Sequence, residues 1–328
     1  MHILVIAELF PPDMGGGSTR AYNAVKGLLS LGCRLTVVTA FPHYPTGNIP
    51  QMYRHRLLSI EDRDKLRVIR TWVPPLASKG ITNRLVLFVS FVFSSLFAFP
   101  FVGKIDAVWA ANPNIFSVFP ALFYGRAKTC PVVQNVDDLW PEGLYDLGML
   151  RRSWLRRSAE LVSRFTYIAS DAITPVSSSY VGVIVNKYEV SEKKILVVPA
   201  GVDMERFCLL ESSSEKKGTK REFKVTYIGA FSPTYDFNQV LKAVELLKSE
   251  KNIRILVQGG GELADTLKLK VKDMRLPNVV IIDKIVSRDE VARILSDSDA
   301  LLLPLSGLEF VEMGISSKLY EYQAAGKP

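Results

Sequence analysis

The chain has 328 residues, of which 48% are hydrophobic, so it is long and apolar enough for two domains with full cores and is not globally disordered. Its formal net charge of +8 favours anionic partners such as nucleic acid, a phospholipid surface or phosphorylated small molecules. Three cysteines and three histidines, without metal-ligand spacing, indicate buried thiols in a reducing compartment and argue against a metal site.

Short apolar runs alternate with helical segments from the first residues onward. The first run, Ile3–Glu8, has no basic region before it and is therefore interpreted as a strand and not as a secretory signal. Six further strands are predicted in this half: Arg34–Ala40, Arg67–Trp72, Asp106–Ala110, Pro131–Asn135, Ala172–Pro175 and Ile195–Pro199. Strands that alternate with helices predict α/β architecture, with a parallel sheet covered on both faces.

A loop with three consecutive glycines follows the first strand. Its sequence, PPDMGGGSTR, places Gly15, Gly16 and Gly17 at the carboxyl end of a strand, where open parallel sheets bind ligands. Glycine lets the backbone approach a phosphate or a sugar hydroxyl, although the spacing is that of neither a dinucleotide fingerprint nor a P-loop. A plain turn is the alternative, and we favour a ligand site. Ser18 or Thr19 is expected to cap the following helix.

An uncharged run of 18 residues, Leu85–Val102, carries six phenylalanines. As a single helix it would be about 27 Å long, close to the roughly 30 Å of a bilayer core. A membrane-spanning helix is disfavoured because it would divide one α/β unit across the bilayer. We expect either a buried helix or a helix or hairpin that lies partly in one leaflet.

Two charged segments follow in the same half. Asp137–Glu142 (DDLWPE) comes after the fifth strand, and its carboxylates suit acid–base chemistry or the binding of sugar hydroxyls; a capped turn with Trp140 as a packing residue is the alternative. The helix that begins RRSWLRR at Arg151 suits anionic lipid headgroups, or it is a solvated helix face. Aromatic and basic residues are not interleaved as in single-strand nucleic-acid platforms, so we expect no nucleic-acid partner.

A second alternation begins after a polar segment without periodicity, Leu209–Arg221. Its predicted strands are Lys224–Ile228, Arg254–Gln258, Val279–Ile282 and Ala300–Pro304. We therefore expect a first domain at residues 1–202, a linker at 203–222 and a second domain at 223–328. Gly229 and Gly260 follow strands of the second domain, where a nucleotide could approach the backbone; strand-to-helix turns are the alternative.

The last segment, Ser316–Pro328 (SSKLYEYQAAGKP), is predicted to be a helix that begins at Ser316, Ser317 and Lys318. The free backbone N–H groups and the positive end of the helix dipole favour an anion at such an N-terminus. A nucleotide diphosphate is a common anion of this kind.

Taken together, these segments resemble the retaining glycosyltransferases of family 4, also called group 1, which have the GT-B fold. The resemblance extends over essentially the whole chain and is carried by FPPDMGGGSTR, TAFPHYPTG, DDLWPEGLYDLG, VVPAGVDMERF, VTYIGAFSP, VQGGGE and SKLYEYQAAGKP. The N-terminal half looks most like bacterial and archaeal enzymes that add sugars to lipid-linked oligosaccharides for surface polysaccharide. The implied architecture is two Rossmann-like domains facing a cleft.

This resemblance implies that a nucleotide-sugar donor, UDP- or GDP-linked, binds the C-terminal domain and that the acceptor binds mainly the N-terminal domain. Transfer would retain the anomeric configuration without a metal or another cofactor, because a helix N-terminus and basic side chains neutralise the leaving diphosphate. The implied donor-binding residues are Ser316, Ser317, Lys318, Gly229, Gly260 and Glu321, with Glu321 on the nucleotide ribose. Gly15, Gly16 and Gly17 would form the loop that faces the donor phosphate and the acceptor.

The chain departs from the family pattern at the expected carboxylates. Met313 stands where the first glutamate of the family's Glu-x7-Glu motif belongs, and a loop shift could let Glu312 or Glu309 contact the sugar instead. Asp137 stands where a histidine often precedes the Asp of the central motif. We therefore predict Glu312 and Asp138 as the catalytic carboxylates.

Two further departures concern the second domain. The loop GAFSPTYDFN lacks the basic pair found in many relatives, and Lys318 would partly substitute for it. Relatives continue for several more elements, so we expect the C-terminal domain to be incomplete.

The sequence thus predicts a hexosyltransferase-type glycosyltransferase that transfers a sugar to a lipid-linked or free saccharide. We expect it to be peripheral at the cytoplasmic face of the cell membrane, with an anionic membrane surface as a partner. Two alternatives stay open: a degenerate, non-catalytic subunit that binds a partner transferase or lipid, and a sugar-nucleotide epimerase.

Overall fold

A computed structural model describes residues 1–78, 80–111, 114–208 and 222–328. The chain divides into two compact units, Met1–Ala200 and Gly201–Pro328. Most of the segment predicted as a linker, residues 209–221, lies outside the described residues, and Met204–Cys208 before it form a short helix of the second unit. Each unit has the α/β architecture that the alternation of strands and helices predicts.

The first unit is built on one mainly parallel sheet. Its strands are β1 (His2–Ile6), β2 (Arg34–Ala40), β3 (Leu58–Arg63), β4 (Leu66–Thr71), β5 (Ala107–Ala110), β6 (Val132–Val136) and β7 (Ala172–Pro175). Its helices are α1 (Gly16–Ser30), α2 (Gly80–Leu96), α3 (Phe99–Val102), α4 (Val118–Lys128), α5 (Glu142–Asp146), α6 (Ser153–Ala169) and α7 (Ser179–Asn186). The strand order is β3-β4-β2-β1-β5-β6-β7, and only the β3–β4 pair is antiparallel.

Successive side chains of the central strands supply two core layers of the first unit. In β1, Ile6 belongs to the same core cluster as Phe91 of α2, whereas Val5 belongs to the cluster that contains Val25 of α1. Neighbouring residues of a strand point to opposite faces of the sheet, so an unbroken apolar run fills both layers. Because β1, β2, β5 and β6 run parallel to one another, their carboxyl ends lie along one edge of the sheet.

The second unit has a smaller parallel sheet. Its strands are β8 (Phe223–Ala230), β9 (Ile253–Gly260), β10 (Val279–Asp283) and β11 (Ala300–Leu301), in the order β10-β9-β8-β11. Its helices are α8 (Met204–Cys208), α9 (Phe237–Leu246), α10 (Ala264–Asp273), α11 (Arg288–Ser296), α12 (Glu309–Met313) and α13 (Ser317–Ala324). Tyr227 of β8 packs in the layer with α9, and its neighbour Ile228 packs in the layer that contains Tyr322 of α13.

Two strands of the first unit differ from the sequence-based expectation. The strand predicted at Ile195–Pro199 is reduced to a single parallel bridge between Ile195 and Ile173, and beyond it the Val198 N–H donates to the carbonyl oxygen of Pro175. Strand β3 was not predicted, because its sequence LSIEDR lacks an apolar run. It is held at the edge of the sheet by antiparallel pairing with β4, a long-range contact that a local pattern does not reveal.

The phenylalanine-rich run is not one helix. Helix α2 begins at Gly80 and ends at Leu96, and α3 begins at Phe99 with Pro100 in its first turn. Proline has no N–H to donate, and it is favoured in the first turn of a helix, where that N–H would have no partner within the helix. Within the described residues, no helix combines the length and the apolar character needed to cross a membrane.

Candidate functional site

The ends of strands β8 and β9 form a surface of bare backbone in the second unit. Gly229 and Gly259 are register partners with φ angles of 150° and 152°, and Gly260 is paired with Ala230. A Cβ atom on Gly259 would lie 1.7 Å from the carbonyl oxygen of Gly229, so this close approach requires glycine. Both sequence-predicted glycines, Gly229 and Gly260, therefore lie at the carboxyl edge of the sheet.

Helix α13 begins beside this edge. Its N-cap, Ser316, has an extended backbone, and the Ser316 side chain makes no capping hydrogen bond. The first N–H groups of a helix have no partner within the helix and carry the positive end of its dipole. Ser316, Ser317 and Lys318 thus form an N-terminus that suits an anionic group.

The Lys318 side chain extends from α13 to the end of β8. Its Nζ donates a hydrogen bond to Tyr235 Oη at 2.9 Å and lies 4.8 Å from the centre of the Tyr235 ring. A Cβ atom on Gly229 would be 2.6 Å from that Nζ. The ammonium group consequently rests against the backbone of Gly229, where the loop after β8 begins.

Glu321 lies one helical turn after Lys318. Burial raises the pKa of its carboxyl, while the positive charges of Lys318, Arg288 and Arg206 oppose that rise. Lys318 is therefore close enough to Glu321 to act on its pKa, and the Lys318 ammonium also lies against Gly229. Glu312 is exposed on the separate short helix α12, which also carries the half-buried Met313.

Polar side chains also follow the central strands of the first unit. Glu8 comes after β1, His43 after β2 and Asn114 after β5, and all three are buried. Asn114 Nδ2 donates to Glu8 Oε2 at 2.8 Å, and His43 Nε2 lies 3.8 Å from Glu8 Oε1. Burial raises the pKa of Glu8 to about 8 and lowers the pKa of His43, so both side chains are uncharged at neutral pH. His43 Nδ1 contacts the carbonyl oxygen of Phe41 at 2.8 Å, which places the imidazole proton on Nδ1 and leaves the Nε2 lone pair towards Glu8.

The two aspartates of the central motif differ sharply in exposure. Asp137 is buried, accepts a hydrogen bond from Asn135 Nδ2 at 2.9 Å and lies 3.5 Å from Arg20 Nη1. Desolvation raises the pKa of Asp137 to about 6 although Arg20 opposes the rise. The Asp138 side chain is 57% exposed and lies 4.0 Å from the same arginine nitrogen. Asp138 is thus the more accessible of the two carboxylates.

The glycine loop is the N-terminus of α1. Gly15, with a φ angle of 118°, is the N-cap, and Gly16 and Gly17 form the first turn. A capping side chain was expected at Ser18 or Thr19, but this prediction is wrong: the helix begins at Gly16, and the Ser18 hydroxyl donates to the carbonyl oxygen of Asp13 at 2.7 Å. The loop exposes backbone at Gly15 and Gly16, as a ligand-approach site requires.

Sequence reasoning missed Glu8, His43, Asn114 and Tyr235 as members of these sites. Each of the first three follows a strand within a few residues, and that position was the available signal. Tyr235 has no such signal, because its role depends on contact with a lysine 83 positions away.

Two protein-family models match the chain. Residues 15–201 match the Glycosyl transferase 4-like domain, and residues 211–328 match Glycosyl transferases group 1. No curated protein matches the chain.

Solved structures of low sequence identity share the fold. Sucrose-phosphate synthase from Thermosynechococcus elongatus has a TM-score of 0.74 and 14% identity, over 100% of this chain and 80% of that one. WaaG, a glycosyltransferase involved in lipopolysaccharide biosynthesis, has a TM-score of 0.63 and 15% identity, over 100% of this chain and 80% of its own. Anabaena Alr3699/HepE in complex with UDP has a TM-score of 0.63 and 13% identity, over 100% of this chain and 79% of that one. The predicted fold is confirmed.

Proposed function

Because the chain belongs to the group 1 glycosyltransferases of the GT-B fold, we propose that it is a hexosyltransferase that moves a sugar from a nucleotide-sugar donor to a lipid-linked saccharide with retention of the anomeric configuration. The donor would be UDP- or GDP-linked. HepE, a protein of the same fold, was crystallised with UDP and with UDP-glucose, which supports a nucleotide-sugar donor.

The observation that carries the proposal is the meeting of the α13 N-terminus, Lys318 and Gly229 at the carboxyl end of β8. Backbone N–H groups and an ammonium group held in place can stabilise the charge that develops on a leaving diphosphate, because they need no reorganisation when the bond breaks. The partly buried carboxylate of Glu321 suits the hydroxyl groups of the nucleotide ribose. In this proposal no metal or other cofactor takes part.

The acceptor side of the proposal uses the first unit. Asp138 is accessible and lies beside Arg20, so it can accept a hydrogen bond from an acceptor hydroxyl. Gly15, Gly16 and Gly17 supply backbone that a phosphate or a sugar can approach. Glu312 is the proposed carboxylate for the transferred sugar.

An apolar stripe on α6 supports a membrane location. Its exposed apolar residues recur at helical spacing: Trp154, Leu161, Phe165 and Ile168. Arg157 is exposed on the same helix. An apolar stripe with neighbouring arginines suits the headgroup region of an anionic leaflet.

Helix α2 exposes a second apolar stripe. Its members, with the residue that follows the helix, are Ile81, Leu85, Val86, Val89, Phe93 and Phe97. Ring contacts run from Phe88 of α2 through Phe116 and Phe119 to Phe165 of α6, so the two stripes belong to connected elements. We therefore propose that the protein is peripheral on the cytoplasmic face of the membrane, with the α2 and α6 stripes against anionic lipid.

The function is tested by incubating the protein with UDP- and GDP-linked hexoses in the presence and absence of a bacterial membrane lipid extract. Nucleotide release that requires the extract, together with a glycosylated lipid seen by mass spectrometry, is the expected result. The anomeric proton coupling of the product, measured by NMR, reports retention. Binding of nucleotide without turnover would favour the non-catalytic subunit, and conversion of the donor without an acceptor would favour an epimerase.

The non-catalytic alternative has two observations in its favour. The loop between β8 and α9 contains neither arginine nor lysine, and Met313 occupies the position of a glutamate in the family motif. Fewer charged groups would then stabilise the transition state.

A further inference from the structure

The loop after β8 presents an aromatic side chain in place of a cation. Residues 231–236 contain no basic residue, and Tyr235 lies one position before the N-cap of α9. Its ring packs edge-on against Tyr227 of β8, with 5.3 Å between the ring centroids. Its backbone pairs with Leu305, which ties the loop to the segment after β11. Tyr235 is thus anchored by its ring and by its backbone.

This anchored tyrosine holds a lysine from another element. Lys318 Nζ donates to Tyr235 Oη at 2.9 Å and also lies 4.8 Å from the Tyr235 ring centroid and 5.8 Å from that of Tyr227. A lysine side chain has four rotatable bonds and is costly to immobilise, so contacts that select one conformation matter for its function. Two aromatic rings and one hydroxyl select the conformation in which the ammonium group touches Gly229.

We propose that Tyr235 is a positioning residue that fixes the Lys318 ammonium at the carboxyl end of β8. Helix α13 thereby supplies a nucleoside diphosphate with the cation that the loop after β8 lacks. The inference rests on the proposed function, since it assigns the contact partner of the donor diphosphate. Gly229 is part of the same arrangement, because a side chain there would occupy the place of the Lys318 Cε and Nζ atoms.

The first experiment measures UDP, GDP and UMP affinity by calorimetry for the wild type and for Tyr235→Phe. Phenylalanine keeps the ring contacts and removes only the hydroxyl. Whichever of UDP and GDP the wild type binds, we expect its affinity for the variant to be about three- to tenfold lower, because one hydrogen bond is lost. The affinity for UMP should change less. Tyr320→Phe, a matched substitution on α13, should leave the affinities unchanged.

A second experiment exchanges the source of the cation. Lys318→Ala should lower the diphosphate affinity about tenfold or more, because it removes a charge-assisted contact. In the double variant Lys318→Ala, Tyr235→Lys, the new side chain starts from the loop and extends about as far as tyrosine does. Part of the lost diphosphate affinity should return, which a purely structural role of Tyr235 would not produce.

The outcomes separate the inference from the proposed function. If the wild type binds UDP or GDP and Tyr235→Phe binds it equally well, Tyr235 does not position the cation and the inference is wrong. If Lys318→Ala and the double variant have the same reduced affinity, the idea of an exchanged cation is also wrong. If the wild type binds neither UDP nor GDP, the proposed donor and this inference are both overturned.

Discussion

At the scale of single residues, burial controls the charge of the carboxyl edge of the first sheet. Glu8 is buried with Asn114 as its hydrogen-bond donor, and the nearby Asp13 adds negative charge. Desolvation is the largest cause that raises the pKa of Glu8, the Asn114 hydrogen bond lowers it and the charge of Asp13 raises it, and the resulting pKa is about 8. The facing imidazole of His43 is kept neutral by burial and offers no positive charge at neutral pH. Glu8 therefore acts in the folded protein as an uncharged hydrogen-bonding group.

The protonation of Glu8 predicts a pH dependence of stability. The unfolded chain releases this proton near pH 4.5 and the folded chain near pH 8, so the folded state binds more protons between these values. The free energy of unfolding should fall as the pH rises through this window, by about 1.4 kcal/mol per pH unit from this group. Glu8→Gln cannot ionise and should lack this contribution. Its free energy of unfolding should therefore increase relative to that of the wild type as the pH rises.

Urea unfolding at pH 5, 6.5 and 8 measures this difference. Tryptophan fluorescence reports the first unit, since all four tryptophans lie there: Trp72, Trp109, Trp140 and Trp154. Glu192→Gln, at an exposed position of the same unit, serves as the matched control. A stability difference between Glu8→Gln and the wild type that does not change with pH would contradict the assignment.

Glu321 provides a test of the proposed ribose contact. Glu321→Ala should weaken the binding of the nucleoside diphosphate about tenfold or more, because it removes a hydrogen bond to a charged group. Calorimetry with UDP and GDP measures the effect, and Gln323→Ala on the exposed face of the same helix is the control. Unchanged affinity in the Glu321 variant would show that the carboxylate does not contact the donor.

At the scale of elements, the α6 stripe leads to a prediction about membranes. Replacing the exposed Leu161 and Phe165 by serine should weaken binding to phosphatidylglycerol vesicles about tenfold per residue. This factor corresponds to the free energy of burying one such side chain. Co-sedimentation measures the binding, and high salt should reduce it because the attraction to anionic lipid is screened.

The control for this prediction is Leu246→Ser. Leu246 is 85% exposed at the end of α9 in the second unit and lies outside the proposed stripes. Equal loss of vesicle binding in the control and in the α6 variants would contradict a specific membrane surface. Equal binding of the α6 variants and the wild type would contradict the role of α6.

At the scale of the whole molecule, the predicted donor residues Glu321 and Lys318 lie in Gly201–Pro328, whereas the tryptophans lie in Met1–Ala200. A nucleoside diphosphate at about 100 times its Kd should stabilise the unit that binds it by about 2.7 kcal/mol. In thermal scans, the nucleotide should then raise the unfolding midpoint seen by circular dichroism more than the midpoint seen by tryptophan fluorescence. A shift confined to the fluorescence transition would mean that the nucleotide binds the first unit.

The sequence by itself determined the local elements and the chemistry at their ends. Apolar runs such as Ile3–Glu8 predicted the central strands, and the glycines and the segment Ser316–Lys318 predicted where backbone could meet an anion. The strand predictions succeed because strand periodicity depends on neighbouring residues, whereas the anion contacts stay predictions. The family followed from several such motifs in one order, and both family models confirm it.

Only the tertiary structure decided which distant side chains meet. The hydrogen bond from Lys318 to Tyr235 joins residues 83 positions apart, and that from Asn114 to Glu8 joins residues 106 positions apart. The pKa of Glu8 depends on its burial and on the distant Asn114, which no local pattern encodes. The polar strand β3 likewise exists through its pairing with β4. Burial and long-range contact are properties of the packed chain, and they set the charges that the proposed sites present.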